Sequence, residues 1–100
     1  MTSDSGVTQH AISSITVDGK EYRVALRLAY DGVEYIGRLW FSDPSSDQMG
    51  IPDHGAVPGR TIAEAVEVAR KLTPQDLERR CHRALADKRR YIRLRRATEE

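Results

Sequence analysis

The chain has 100 residues, 39% hydrophobic and 31% charged, with a formal net charge of +1; that suits one soluble globular domain and is too short for two. Cys81 is the single cysteine, which excludes a disulfide within the chain, and no apolar run approaches the roughly 18 residues of a membrane-spanning helix. The small net charge hides a division, because residues 1–73 carry seven basic and ten acidic side chains whereas residues 74–100 carry nine and five.

The first ten residues, MTSDSGVTQH, are polar and aperiodic. They read as a disordered tail with no cleavable signal, so a cytoplasmic protein is expected, with a single domain over residues 11–100. Order is expected from Ala11, where Ile15 and Val17 lead into Asp18-Gly19, a pair suited to the positive backbone dihedrals of a two-residue hairpin.

The next run alternates with a period of two: Tyr22, Val24, Leu26, Leu28 and Tyr30 on one face, Arg23, Ala25, Arg27 and Ala29 on the other. After Asp31-Gly32 a third strand alternates too. Val33, Tyr35, Leu39 and Phe41 continue the first face, and Glu34, Ile36, Arg38 and Trp40 the second. If Asp31-Gly32 forms a two-residue loop, counting sets Tyr30 opposite Val33, Leu28 opposite Tyr35, Leu26 opposite Gly37 and Val24 opposite Leu39. On the second face the same register sets Arg23 opposite Trp40, a cation over an indole.

Residues 42–60 hold three prolines and three glycines and read as a long loop that neither strand nor helix traverses. Within it His54, Asp53, Asp43 and Asp47 could be drawn as a metal site, but they lack a strict ligand spacing, and no metal or cofactor is expected.

Thr61-Ile62-Ala63-Glu64 is a capping box and opens a helix whose apolar stripe is Ile62, Ala65, Val66, Ala69 and Leu72. Thr73-Pro74 restarts the chain, threonine as N-cap and proline at the first helical position. One long helix follows to Thr98, with Leu77, Cys81, Ala84, Leu85, Tyr91 and Ile92 as its inward stripe. Lys88 and Arg95 interrupt that stripe beyond Leu85.

The expected architecture is therefore an α+β fold: a three-stranded antiparallel meander followed by two helices on one sheet face, in the order β-β-β-α-α. The segment Gly59-Arg60-Thr61-Ile62-Ala63-Glu64-Ala65, after a strand pair, resembles the helix entry of HicB-type antitoxin domains, which set a small antiparallel sheet before such a helix. The chain departs from that pattern in its long loop and its second, arginine-rich helix. The resemblance implies a toxin-neutralising or regulatory role.

Two surfaces are candidate sites. Arg79, Arg83, Arg89, Arg90 and Arg93 lie within roughly a third of the circumference of the second helix, an arrangement suited to phosphates because guanidinium forks donate bidentate hydrogen bonds. Within the helix, Asp76 is positioned to offset Arg80, and Asp87 to offset Arg90. Trp40 and Ile36 on the second sheet face, rimmed by Arg23, Arg27 and Arg38, have the aromatic-plus-arginine composition of a partner interface, and the distal helix offers Tyr91 and Ile92.

No glycine-rich phosphate loop, paired-acid site or nucleophile constellation emerges, and Cys81 and His82 diverge by about 100° on their helix. A non-catalytic binding module is expected, with the basic helix face toward a nucleic acid or an acidic protein. A homodimeric structural or regulatory protein, using the Trp40 face or the distal helix, is the alternative. No membrane partner is expected.

Overall fold

The computed structural model describes residues 7–45 and 50–99, and of residues 91–99 the backbone only. Four strands, β1 (Val7–Val17), β2 (Lys20–Tyr30), β3 (Tyr35–Ser42) and β4 (Ile51–Gly59), precede two helices, α1 (Ile62–Arg70) and α2 (Pro74–Glu99). The sheet is an antiparallel meander in the order β1-β2-β3-β4. The α+β class holds, with one strand more than the sequence pattern predicts.

β1 begins at Val7, four residues before Ala11, so residues 7–10 of the expected tail pair with β2; residues 1–6 lie outside the described residues. A bulge at Ile12 separates the pairs Ala11↔Ala25 and Ser13↔Val24. The extra residue has a purpose. Ile12 and Ile15 are three apart, out of phase for a regular strand, and the bulge lets Ile12, Ile15 and Val17 all pack toward the helices.

The β1–β2 turn is as expected: Val17 pairs with Lys20, and Asp18 and Gly19 both take positive φ, 53° and 79°. The β2–β3 turn is longer than expected. Asp31 Oδ1 accepts the backbone N–H groups of Val33 and Glu34, both at 2.8 Å, and the Asp31 N–H donates to the Glu34 carbonyl, so the loop spans four residues and Tyr30 pairs with Tyr35. Partners move by two residues, to Leu28↔Gly37, Leu26↔Leu39 and Val24↔Phe41. Because the shift is even, the residues that remain in the two strands keep their expected faces, whereas Val33 and Glu34, expected to open the third strand, lie in the loop, with Val33 83% exposed.

β4 runs through the segment read as a loop. It is an edge strand, where a proline's missing donor costs no ladder hydrogen bond, and Pro52 and Pro58 sit exposed opposite Trp40 and Ile36. Its inward residues are Ile51, Asp53, Gly55, Val57 and Gly59, an alternation that a carboxylate and two glycines conceal from a hydrophobic pattern.

The helices cover the face formed by Tyr22, Val24, Leu26, Leu28, Leu39, Phe41 and Val57, with Ala65, Ala69, Leu77, Cys81 and Ala84 buried against it. The capping threonines act as the sequence predicts: Thr61 Oγ1 accepts from Glu64 N–H, and Thr73 Oγ1 from Asp76 N–H, each at 3.1 Å. The reciprocal arm of the first box differs, because Glu64 accepts from the N–H of Arg60. Among the described residues no helix is long and apolar enough to cross a membrane.

Candidate functional site

Between Arg38↔Ala56 and Trp40↔Pro52, three residues of β4, Asp53 to Gly55, face the single residue Leu39. This bulge turns Asp53 under α2, where it is 0% exposed and the one buried charged residue among those described. Arg83 grips it with both prongs, Nε to Oδ1 at 2.8 Å and an Nη to Oδ2 at 2.7 Å, and Arg80 adds a third hydrogen bond at 3.1 Å. Burial alone pushes the Asp53 carboxyl up; the Arg83 hydrogen bonds and charge, the charge of Arg80 and the Gly55 N–H outweigh it and hold the group below the usual carboxylate range.

Gly55 makes room for this clamp. A Cβ there would lie 2.6 Å from the Arg83 guanidinium and 3.1 Å from that of Arg80. Next to it, His54 Nδ1 meets Asp87 Oδ2 at 2.7 Å, and Arg38 donates to the His54 carbonyl at 3.0 Å. Edge strand and helix are thus joined by the buried Asp53 ion pairs and the exposed His54–Asp87 contact.

These interactions redistribute the predicted basic face of α2. Arg83 and Arg80 lie on the side of α2 that meets β4, with Arg83 40% exposed. Asp76 pairs with Arg79 instead of Arg80, and Asp87 with His54 instead of Arg90. Lys88, Arg89 and Arg90 are exposed and have no acidic partner among the described residues. Arg93, Tyr91 and Ile92 lie on the helical backbone, and their side chains are outside the described residues.

The chain matches no model of a known protein family, no curated protein and no solved structure. Within the segment Gly59 to Ala65, Thr61 caps α1.

The uncovered sheet face brings the other predicted residues together. Trp40 and Ile36 are half-buried there, with Arg23 and Arg38 exposed beside them. The cation over the indole is Arg27 rather than Arg23, with its guanidinium carbon 4.2 Å from the ring centroid, while its Nε donates to Gln9 at 2.9 Å. The two-residue register shift accounts for the exchange, since it moves Trp40 opposite Ala25, diagonal to both arginines.

The residues drawn as a possible metal site diverge. Asp53 faces the arginines, His54 faces Asp87, and Asp43 pairs with Lys20 at 2.9 Å; Asp47 is outside the described residues. No group of three potential ligands converges among the described residues. Cys81 is buried, and desolvation pushes its thiol up to about 11, the reverse of what a nucleophilic cysteine needs.

Sequence reading missed the Asp53 clamp. Its signal was present: in Ile51-x-Asp53-x-Gly55-x-Val57-x-Gly59 the polar residue lies in phase with two apolar ones, and two arginines three apart on a following helix can converge on one carboxylate.

Proposed function

We propose that the protein is a small, non-catalytic binding module that takes an anionic partner, a nucleic acid or an acidic protein, on the distal basic surface of α2. One observation carries this reading: Asp87 is turned to His54 of β4, and Lys88, Arg89 and Arg90 present three adjacent cations with no ion-pair partner among the described residues. Ala84 is the last fully buried residue of α2 among the described side chains, so this basic segment lies past the helix's burial in the core. Uncompensated positive charge on a helix raises the local concentration of anions and suits binding to phosphates or carboxylates.

Fluorescence anisotropy with labelled mixed-sequence DNA and RNA, and with an acidic polypeptide, tests it. Binding at low salt that falls steeply as salt rises is expected. The double reversal Arg89→Glu and Arg90→Glu should lower the log–log salt slope by about 2, one for each phosphate that the variant no longer neutralises. Absence of binding to all three probes at micromolar protein and low salt overturns the reading.

The homodimeric, antitoxin-like alternative draws on the half-buried Trp40 and Ile36 of the uncovered face. Charge argues against self-association there, because Arg23, Arg27 and Arg38 lie on the same face and two identical copies would set arginine against arginine.

A further inference from the structure

The two edges of the sheet are built differently. β4 carries Pro52 and Pro58, bulges at Asp53 to Gly55 and is tied to α2 by the Asp53 clamp, all devices that keep another strand from adding to it. β1 has none of these protections along its second half. It is eleven residues long, contains no proline, and is the one element of the six described with no Lys, Arg, Asp or Glu. In a chain that is 31% charged, the exposed edge is where charge belongs if pairing is to be prevented.

The backbone geometry shows which groups are available. In a two-residue hairpin the residues flanking the turn form a hydrogen-bonded pair, so Val17, Ile15 and Ser13, opposite Lys20, Tyr22 and Val24, direct their backbone groups to β2. Ser14 and Thr16, opposite Arg23 and Glu21, direct theirs outward. A groove of about 380 Å³ runs beside this stretch between β1 and the helices, lined chiefly by Ile12, Ile15, Leu72, Pro74 and Leu77, with Arg70 at it as well. Ile12, Ile15 and Leu72 are only partly buried, so the margin of the core is open along this edge.

We infer that β1 pairs edge to edge with β1 of a second copy of this chain, extending the sheet antiparallel through a two-fold axis. Charge selects the occupant. Identical strands always bring like against like, so a charged edge repels its copy and a neutral one does not. A second copy also brings its own Ile12 and Ile15 to the open margin, apolar against apolar. The surface is separate from the arginines of α2; β1 itself is uncharged and Arg70 is the one charged residue lining the groove beside it, so the dimer is not weakened by salt, unlike the anion binding proposed above.

The test is light scattering behind size exclusion across micromolar concentrations at low and high salt, with amide exchange followed residue by residue. A salt-resistant dimer is expected, with the Ser14 and Thr16 amides slowed on the order of 100-fold at high concentration and released on dilution, and a folded monomer for Ser14→Pro, which removes an outward donor without breaking a β1–β2 bond. A monomer throughout, with fast exchange at both amides, overturns the proposal. So does a dimer in which both amides exchange fast, or protection that arises only when an unrelated peptide is added. If Ser14→Pro does not fold, exchange in the unaltered protein decides between the same outcomes.

Discussion

Asp53 is worth more to this fold than any exposed charge, because its carboxylate has left water and depends on Arg83 and Arg80 for every compensating interaction apart from the Gly55 N–H. Removing one partner of a buried pair strands the other, at about 3–5 kcal/mol when burial is complete. The 40% exposure of Arg83 and the hydrogen bond that Arg80 keeps reduce that, so Arg83→Ala is expected to destabilise by about 2 kcal/mol in urea unfolding. Arg79→Ala is expected to change the midpoint hardly at all, since Arg79 is 70% exposed. These two arginines lie only about 40° apart on a helical wheel. Equal effects from the two substitutions would show that the clamp contributes nothing to stability.

At the scale of elements, β4 meets the helices at two glycines that demand different things. At Gly59 a Cβ would lie 2.6 Å from the Ala65 backbone nitrogen, and at Gly55 at the same distance from the end of the Arg83 side chain. A guanidinium can swing away, whereas the first turn of α1 cannot. Gly59→Ala is therefore expected to cost about 1–3 kcal/mol through a forced shift of α1, and Gly55→Ala less, with disruption of the bidentate Arg83 pairing visible in the arginine side-chain resonances. A smaller cost at Gly59 than at Gly55 would contradict this account of the joint.

The strands show how far pattern reading reaches. The faces of β2 and β3 were legible because alternation is a property of each strand alone, and they survived a register error because the error was even. Register itself was not legible: it depends on whether Asp31 folds its carboxylate onto the N–H groups of Val33 and Glu34, which a count of residues does not reveal. β4 was invisible because its inward row holds Asp53, Gly55 and Gly59, each suited to its meeting with a helix.

For the molecule as a whole, several carboxylates are held below their usual range: Asp43 chiefly by the Lys20 hydrogen bond and then by Ser45, Asp76 chiefly by Arg79, Asp31 by the Glu34 and Val33 N–H groups, and Asp53 by its arginines against burial. Asp43 falls from 3.8 to about 2. Groups whose folded value lies below the unfolded one leave the unfolded chain binding more protons. Their contribution is complete above pH 3.8, the ordinary carboxylate value, and is lost as pH falls toward about 2. Thermal unfolding midpoints are accordingly expected to be flat from neutrality to about pH 5 and to drop steeply below about pH 4; a midpoint that rises on acidification contradicts the pairing.

The sequence by itself determined what depends on neighbours a few residues apart: the strand faces, the Asp18-Gly19 hairpin, both threonine caps, the apolar stripes and the concentration of positive charge in α2. Only the tertiary structure decided which of those charges remain available, because the partners lie far along the chain. Asp53 is 30 residues from Arg83, and His54 is 33 from Asp87. Periodicity reports the face a side chain occupies; a hydrogen bond between elements also requires that two faces be brought together at one depth and angle, and here the β4 bulge sets both.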